Sequence, residues 1–320
     1  MLKMKLPWSK PTRTNNFTNM SVNPQKFGLL SYQESNLGDD VQAFAALQFM
    51  PRVDYFVHRD SIGDFVPSTR NDKVKIILNG WFMGSRSWPP AKSLEPLFIS
   101  FHIGQHYYRE DRKWGGKNFL LRKASIAYLK EHAPIGCRDI STLKLLEAEG
   151  VEAYFSGCLT LTLGSILKKP VDTAAREEIL LVEPNLDLRV LFDSIPLHLK
   201  QKASFVTHQT ALIGPPELRL NTVSALLHRY ASAKLVITSR LHCALPCLAL
   251  GTPVIFVPPQ HDLGRFSGIW ELLNVARVCD GTITENVPWE NPAPNPDRYL
   301  PLAEQISQSC RHFFSSRKLD

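Results

Sequence analysis

Arg240 and His242 form the pair of residues in this chain whose types and spacing point most directly to chemistry. They follow a short apolar run, Leu235–Ile237, and a glycine at Gly251 precedes the next apolar run, which starts at Val254. This pattern predicts a buried strand, a short helix ended by the glycine, and a second buried strand. Arg offers a fork of donors to a carboxylate or phosphate, and His exchanges a proton near neutral pH. We therefore predict an anion site with an acid–base group beside it, where the first strand meets the helix.

Two points about this junction stay open in the sequence. Thr238 and Ser239 are both residue types that cap a helix start. An arginine and a histidine near a strand end are also often no more than a surface pair.

A second candidate lies in Asn36-Leu37-Gly38-Asp39-Asp40, which follows a predicted strand at 27–32 and precedes a predicted helix at 40–50. Either aspartate can cap that helix. A carboxylate at a strand end can also accept the proton of a hydroxyl group, so Asp39 or Asp40 is a candidate base.

Further candidates end other predicted strands. Arg138 follows strand 134–137 and can pair with a ligand anion or form an ion pair within the protein, while Asp139 can cap the next helix. Trp81 follows strand 74–79, where an aromatic ring can stack on a sugar. His102 ends strand 97–102 and is equally well explained as a structural histidine.

The last basic candidates, His261 and Arg265, lie in a loop rich in Pro and Gly after strand 254–257. The alternative for both is a solvated loop.

Ser239-Arg240-Leu241-His242, followed by Gly251-Thr252-Pro253-Val254-Ile255, resembles the C-terminal motif of the polysaccharide pyruvyl transferase family. Asn36-x-Gly38-Asp39 and Arg138-Asp139 resemble two further elements of that family, in the same order along the chain. The chain departs from the family at 80–84, where many members carry a run of glycines, and at Cys158, where they have proline. The resemblance covers about residues 27–285.

The resemblance implies that a pyruvyl group moves from phosphoenolpyruvate to sugar hydroxyls as a ketal. It implies a fold of two Rossmann-like α/β domains that face a cleft, as in GT-B glycosyltransferases. The implied roles are as follows: His242 and Asp39 are catalytic; Arg240, Arg138, His261 and Arg265 bind the donor; Asn36, Trp81 and His102 bind the acceptor. Asp39 matches the motif position, and either His261 or Arg265 fits the basic loop residue. No metal and no cofactor besides phosphoenolpyruvate as co-substrate is implied.

Composition limits the other classes of function. The chain has 320 residues, of which 44% are hydrophobic and 21% charged, with a formal net charge of +7. This charge suits anionic substrates or an anionic membrane surface, but we find no nucleic-acid recognition motif. The six cysteines form no CxxC or zinc-type spacing. The start of the chain lacks the apolar core of a signal peptide and no run is long enough to span a membrane, so we expect a cytoplasmic protein, with contact to the inner membrane face as one option.

Alternating strands and helices predict parallel sheets in two α/β domains. We expect a flexible tail at 1–24, an acceptor-side domain at 25–170, a donor-side domain at 171–300, and a C-terminal helix and tail at 301–320. The linker is placed at 168–173, a single helix at 187–199, and a last helix at about 301–315 that packs back across the domains.

The alternatives to pyruvyl transfer are a GT-B glycosyltransferase that uses a nucleotide sugar, which a ribose-binding glutamate in the second domain would favour, and a non-catalytic glycan-binding protein. The resemblance implies an acceptor that is a glycan or a lipid-linked saccharide.

Overall fold

The computed structural model describes residues 25–82, 87–104, 119–166, 176–211, 214–259 and 263–316. The predicted tail at 1–24, the predicted linker at 168–173 and His261 lie outside the described residues. Within them the chain is an α/β fold with two parallel sheets and surrounding helices.

The first sheet has six parallel strands in the order β2-β1-β3-β4-β5-β6. Its central strand β3 is buried over almost its whole length, as expected for a parallel strand covered on both faces. The strands are β1 (Lys26–Ser31), β2 (Tyr55–His58), β3 (Val74–Trp81), β4 (Leu94–His102), β5 (Ile135–Cys137) and β6 (Ala153–Phe155).

The second sheet has five parallel strands in the order β11-β10-β9-β7-β8. A small antiparallel pair, which the sequence patterns did not predict, follows it. The strands are β7 (Ile179–Val182), β8 (Ala203–Val206), β9 (Leu235–Thr238), β10 (Val254–Phe256) and β11 (Asn274–Val275), and the pair is β12 (Val278–Cys279) and β13 (Thr282–Ile283).

Three of the predicted helices are confirmed: 40–50 as α1, the helix after Arg240 as α7, and about 301–315 as α8. The predicted helix 187–199 is two short helices, because Pro196 lacks the backbone N–H that a continuous helix needs. The helices are α1 (Gly38–Leu47), α2 (Lys123–Glu131), α3 (Ile140–Ala148), α4 (Leu188–Asp193), α5 (Leu197–Lys200), α6 (Pro216–Ser232), α7 (Leu241–Ala249) and α8 (Leu300–Ser315).

Three helix starts show which predicted caps form. Neither aspartate of the candidate motif caps α1, because both lie in its first turn and its cap position is Leu37. Asp139 caps α3, since its carboxylate accepts the backbone N–H of Thr142 at 2.9 Å. The prediction for α7 was wrong, because the cap position is Arg240 and no side chain caps the helix. Thr238 instead accepts the backbone N–H of Arg240 through its hydroxyl, at 2.9 Å, and Gly251 follows the end of α7 in a left-handed conformation (φ 69°).

One hydrophobic core joins the two sheets. Helices α1, α6 and α7 pack against each other, and the 3₁₀ turn Leu159–Ser165 packs on α1 and α7. The core runs from Ile76 in the first sheet to Leu180 and Val236 in the second. Because side chains alternate along a strand, Leu181 points to a separate core on the outer face of the second sheet.

Helix α8 returns to the first half of the chain. The rings of Phe314 and Phe27 meet edge to face at a centroid distance of 5.7 Å. The buried Lys75 ammonium donates to the carbonyls of Phe313, at 2.7 Å, and Ser316. The described contacts of α8 therefore fasten it to the first sheet and to the turn Leu159–Ser165.

In the parts of the chain that the structure describes, no helix combines the length and the apolar composition that crossing a bilayer requires.

Candidate active site

The loop before α1 is bound to the loop after β8, so the two halves meet at the start of α1. The backbone N–H of Leu37 donates to the carbonyl of His208 at 2.9 Å, and Asn36 forms an antiparallel bridge with Gln209. The Asn36 side chain also accepts the N–H of Gly38 at 3.0 Å, which shapes the turn into the helix. The candidate motif at 36–40 is thus held by residues of the second half.

A pocket of about 380 Å³ lies at this junction, where the start of α1 faces the carboxyl ends of β7 and β9. Ligands of open α/β sheets bind at such strand ends. The pocket brings together four of the predicted site residues, Asn36, Arg240, His242 and Arg265, with the further lining residues Gly38, Glu183, Asn185, His208, Ser239, Leu241, Pro259 and Phe266.

His242 faces the start of α1 across this pocket. A Cβ atom at Gly38 would lie 3.0 Å from the imidazole Nδ1, so the glycine permits the close approach. The Nε2 atom is buried, and no group in the described ranges forms a hydrogen bond with it. Burial, followed by the charge of Arg138, lowers the pKa of His242 well below its ordinary value. The imidazole is therefore neutral at pH 7 in the ligand-free protein.

Arg138 is a buried cation at the end of β5 with two unsatisfied donors. Its residue is 2% exposed, and its Nε lies 3.5 Å from the Asp139 carboxylate. Among the described residues, no acceptor forms a hydrogen bond with Nε or Nη2. Buried charged groups are normally hydrogen-bonded, since leaving them unpaired costs free energy. The positive charge of Arg138 acts to lower the pKa of three other candidate site residues, Asp39, His102 and His242.

His102 and Asp139 form a buried pair beside Arg138. His102 Nδ1 lies 2.6 Å from Asp139 Oδ2. Burial, and then Arg138, lower the pKa of His102 to about 4, although Asp139 opposes this shift. Burial acts to raise the pKa of Asp139, but His102 and Arg138 more than offset it, and the pKa is lowered. The pair is thus a neutral imidazole held by a carboxylate.

Asp39 is bound by an arginine that the sequence analysis missed. Arg59 follows β2 and donates to Asp39 Oδ2 at 2.7 Å, to Asp60 at 2.8 Å, and to Glu34. Burial raises the pKa of Asp39, and the charge of Arg59 acts in the opposite direction. The side chain is 14% exposed, so Asp39 is a partly accessible carboxylate of raised basicity.

Asp40 is engaged in a different contact. Arg219 on α6 donates to both of its carboxylate oxygens, at 2.9 and 2.6 Å, and also to the carbonyl of Glu34 at 2.8 Å. Both side chains of this ion pair are buried. Both Asp40 oxygens are used to tie α1 to α6, whereas Asp39 Oδ1 has only a long contact with Gln42, at 3.3 Å. Asp39 is also the more exposed of the two, so it is the better placed candidate base.

Arg240 is held by Glu183 at the rim of the pocket. Its Nε donates to Glu183 Oε2 at 2.7 Å, and the arginine side chain is 40% exposed. The Thr207 hydroxyl donates to Glu183 Oε1 at 2.7 Å. Glu183 itself has a left-handed backbone (φ 43°), a strained conformation that is common at functional sites.

Trp81 lies beside the Asp39 contact and does not line the 380 Å³ pocket. The guanidinium of Arg59 stands over its ring at 5.3 Å from the centroid. The predicted acceptor residues Asn36, Trp81 and His102 thus lie at separate points of one sheet edge.

Four residues of the site were not predicted: Arg59, Glu183, His208 and Arg219. Arg59 and Glu183 directly follow β2 and β7, and position after a strand was the signal that could have found them. His208 donates or accepts at 2.6 Å with the Tyr230 hydroxyl, and neither it nor Arg219 stands in a recognisable local pattern.

A larger cavity of about 660 Å³ lies at the opposite end of α7, near Leu248 and Gly251. It contains none of the predicted site residues. In the described ranges, no cluster of three His, Cys, Asp or Glu side chains is arranged to hold a metal ion.

Comparison with known proteins identifies the family. The sequence model of the polysaccharide pyruvyl transferase family matches residues 36–261. No curated protein matches the chain significantly.

Two solved structures show weak similarity. One is an uncharacterized protein from Klebsiella pneumoniae, with 12% identity, coverage of 76% of this chain and 87% of that one, and a TM-score of 0.42. The other is the Escherichia coli heptosyltransferase WaaC with ADP, with 13% identity, coverage of 89% and 99%, and a TM-score of 0.28. TM-scores this low support no conclusion about fold or function. The family match, in contrast, covers most of the chain and includes the motifs at the pocket, and the chain belongs to the polysaccharide pyruvyl transferase family.

Proposed function

We propose that this protein transfers a pyruvyl group from phosphoenolpyruvate to two hydroxyls of a sugar, forming a cyclic ketal and releasing phosphate. The acceptor is a glycan or a lipid-linked saccharide precursor. The family supports glycan pyruvylation in general, and the site geometry supports the donor and the roles of individual residues.

The observation that carries the proposal is Arg138. A buried guanidinium whose Nε and Nη2 have no acceptor among the described residues is costly in the ligand-free protein, and an anion that accepts from both atoms removes the cost. Phosphoenolpyruvate carries a carboxylate and a phosphate. Arg240 and Arg265, which line the adjoining pocket, supply further positive charge for the second anionic group. His261, in the same loop as Arg265, stays a predicted donor ligand.

His242 is the proposed acid that protonates the vinyl carbon of the donor. Its neutral resting state follows from burial and from the nearby cations. When the donor anion neutralises those cations, the pKa of His242 rises towards its ordinary value, which favours the protonated imidazole. Donor binding thus favours the charged acid in the complex where it is needed.

Asp39 is the proposed base for the attacking hydroxyl. Protonation of the methylene carbon makes the adjacent carbon electrophilic, and the hydroxyl attacks it as Asp39 accepts its proton. Phosphate then leaves with the electron pair of the C–O bond, and the second hydroxyl closes the ketal. Of the two hydroxyl protons, one balances the proton added to carbon and one leaves with phosphate. Since the enol phosphate is already activated, the chemistry needs no further cofactor.

The acceptor is proposed to bind along the edge of the first sheet, against Asn36, Trp81 and His102. In this arrangement residues 25–170 form the acceptor side and 171–300 the donor side of a GT-B-like cleft. We propose a cytoplasmic protein that meets a lipid-linked acceptor at the inner membrane face.

The test is incubation of the purified protein with phosphoenolpyruvate and a panel of free and lipid-linked saccharides. Mass spectrometry for the pyruvyl ketal and a phosphate-release assay report transfer. The panel includes saccharides extracted from a cell that makes this protein. Absence of both signals across this panel would refute the proposal.

A nucleotide-sugar arm of the same assay tests glycosyl transfer. The carboxylate that this alternative requires in the second half would be Glu183, which lies at the pocket. Its oxygens already accept from Thr207 and Arg240 and, at 3.3 Å, from the His208 backbone N–H. Glu183 therefore positions Arg240, and glycosyl transfer has no observation in its favour.

A further inference from the structure

His102 lies at the carboxyl end of the first sheet, in the middle of the row of candidate site residues that follow its strands. In the register of β3, β4 and β5, Trp81 pairs with His102, and Phe101 pairs with Cys137, which places His102 beside Arg138. It therefore lies between the residue proposed to contact the sugar and the residue proposed to hold the donor.

A β-bulge sets the direction of His102. Between Leu78 and Gly80 of β3, the partner strand β4 carries an extra residue, and Ser100 adopts a left-handed backbone (φ 60°) that is strained for a residue with a side chain. The backbone N–H of Ser100 is held by the Ser156 hydroxyl at 3.0 Å. Bulges of this kind re-aim the side chains that follow them, and His102 lies two residues after Ser100.

The hydrogen bonds of Asp139 define which ring nitrogen of His102 carries the proton. Asp139 Oδ1 accepts the backbone N–H and the hydroxyl of Thr142, both at 2.9 Å. Asp139 Oδ2 is left for His102 Nδ1 at 2.6 Å. An ionised carboxylate only accepts, so Nδ1 of the neutral imidazole carries the proton and Nε2 carries the lone pair. His102 is thus fixed as a base at Nε2.

Closure of a cyclic ketal requires a base twice, because two hydroxyl groups each lose a proton. Asp39 is committed to one of them. We propose that His102, oriented by Asp139, is the second base: its Nε2 accepts the proton of the ring-closing hydroxyl. This inference rests on the proposed function.

The step balances without another reactant. The second hydroxyl oxygen bonds to the former C2 carbon of the donor, which has lost the phosphate oxygen together with the electron pair of that bond. The hydroxyl proton moves to His102 Nε2 and then to the departing phosphate. His102 returns to the neutral form, and Asp139 stays ionised throughout.

The variant Asp139→Asn tests the positioning role of Asp139. Asn caps a helix as well as Asp does, so α3 keeps its start. Since the carbonyl oxygen is needed by Thr142, the amide NH₂ faces His102 and donates to Nδ1, which moves the imidazole proton to Nε2. The corresponding substitution in a Ser-His-Asp triad lowers kcat about 10⁴-fold through the wrong tautomer.

We expect Asp139→Asn and His102→Gln to lower kcat for ketal formation roughly a hundredfold or more, with little change in KM for phosphoenolpyruvate. The matched controls are Asp187→Asn, at the cap of α4, and His198→Gln, at an exposed ion pair with Glu290. Both controls should keep the kcat of the unmodified protein. Wild-type kcat in a folded Asp139→Asn variant overturns the inference.

Nitrogen-15 NMR of histidine-labelled protein gives a readout that needs no turnover. The ring nitrogen shifts distinguish the two tautomers, and we expect His102 to carry its proton on Nδ1 in the unmodified protein and on Nε2 in Asp139→Asn. An Nε2–H tautomer in the unmodified protein overturns the inference even if the variants do not fold. If the unmodified protein pyruvylates no acceptor, the proposed function fails, whereas normal transfer with unchanged variants removes only the second base.

Discussion

Replacing Arg138 with methionine should weaken donor binding strongly without weakening the fold. The substitution keeps much of the side-chain volume and removes the buried charge. Nε and Nη2 of Arg138 have no acceptor among the described residues. If each forms one charge-assisted hydrogen bond with the donor, each contributes about 1.5–3 kcal/mol. Loss of both amounts to roughly 3–6 kcal/mol, or about 10²–10⁴-fold in Kd.

The ligand-free protein should keep its stability, because two effects oppose each other. An unsatisfied buried donor costs about 1–3 kcal/mol, and methionine removes that cost. Methionine also removes the cation 3.5 Å from the buried Asp139 carboxylate, which keeps its hydrogen bonds with His102 and Thr142. We therefore expect the free energy of unfolding to change little.

Isothermal titration calorimetry with phosphoenolpyruvate and urea unfolding measure these two effects. Arg229→Met is the control, because Arg229 forms a partly exposed ion pair with Glu178 that is worth at most about 1 kcal/mol. Arg240→Met should lose less donor affinity than Arg138→Met, since Arg240 is already paired with Glu183. A destabilised Arg138→Met variant that binds phosphoenolpyruvate normally would refute the reasoning.

Three further outcomes are expected. Phosphoenolpyruvate binding at pH 7 should be accompanied by proton uptake, because the pKa of His242 starts well below its ordinary value and rises when the anion binds. Calorimetry in buffers of different ionisation enthalpy measures this uptake. His242→Gln should abolish it and lower turnover roughly a hundredfold. Asp39→Asn should remove turnover and should increase the free energy of unfolding more at pH 8 than at pH 4. Burial raises the pKa of Asp39, so its ionised form opposes folding above that pKa. Urea unfolding at both pH values checks the sign. Arg219→Met should lower the free energy of unfolding by about 3–5 kcal/mol, because it leaves Asp40 buried and unpaired. In denaturant unfolding, the double variant with Asp40→Leu should recover most of that loss. Additive losses would contradict the ion-pair argument.

Local patterns were sufficient to predict most elements of the fold. Short apolar runs identified β1, β3, β4, β9 and β10, because buried parallel strands are apolar on both faces. The exception at 187–199 shows the limit, since a single Pro196 divides a segment that is otherwise of helical composition. The partition into domains at 25–170 and 171–300 stays a prediction.

The candidate site could be predicted only as far as it consists of residues at strand ends. His242, Arg240 and Asp39 were found in this way. Arg219 was not, because it lies within α6. Arg59 does follow β2, but no spacing in the sequence encodes which carboxylate a distant arginine meets. The same holds for His102, whose pairing with Asp139 depends on the neighbouring strands β4 and β5 and on the bulge at Ser100.

The return of α8 to the first sheet separates the order of synthesis from the order of folding. Phe27 and Lys75 lie near the start of the described residues, yet their partners lie at 313–316. The first half therefore keeps an uncovered surface until residues 313–316 have been made. A fragment that ends before residue 300 should aggregate rather than fold. A proteolytic cut in α8, or a degradation tag that pulls α8 away, should uncover the first sheet and unfold the whole molecule.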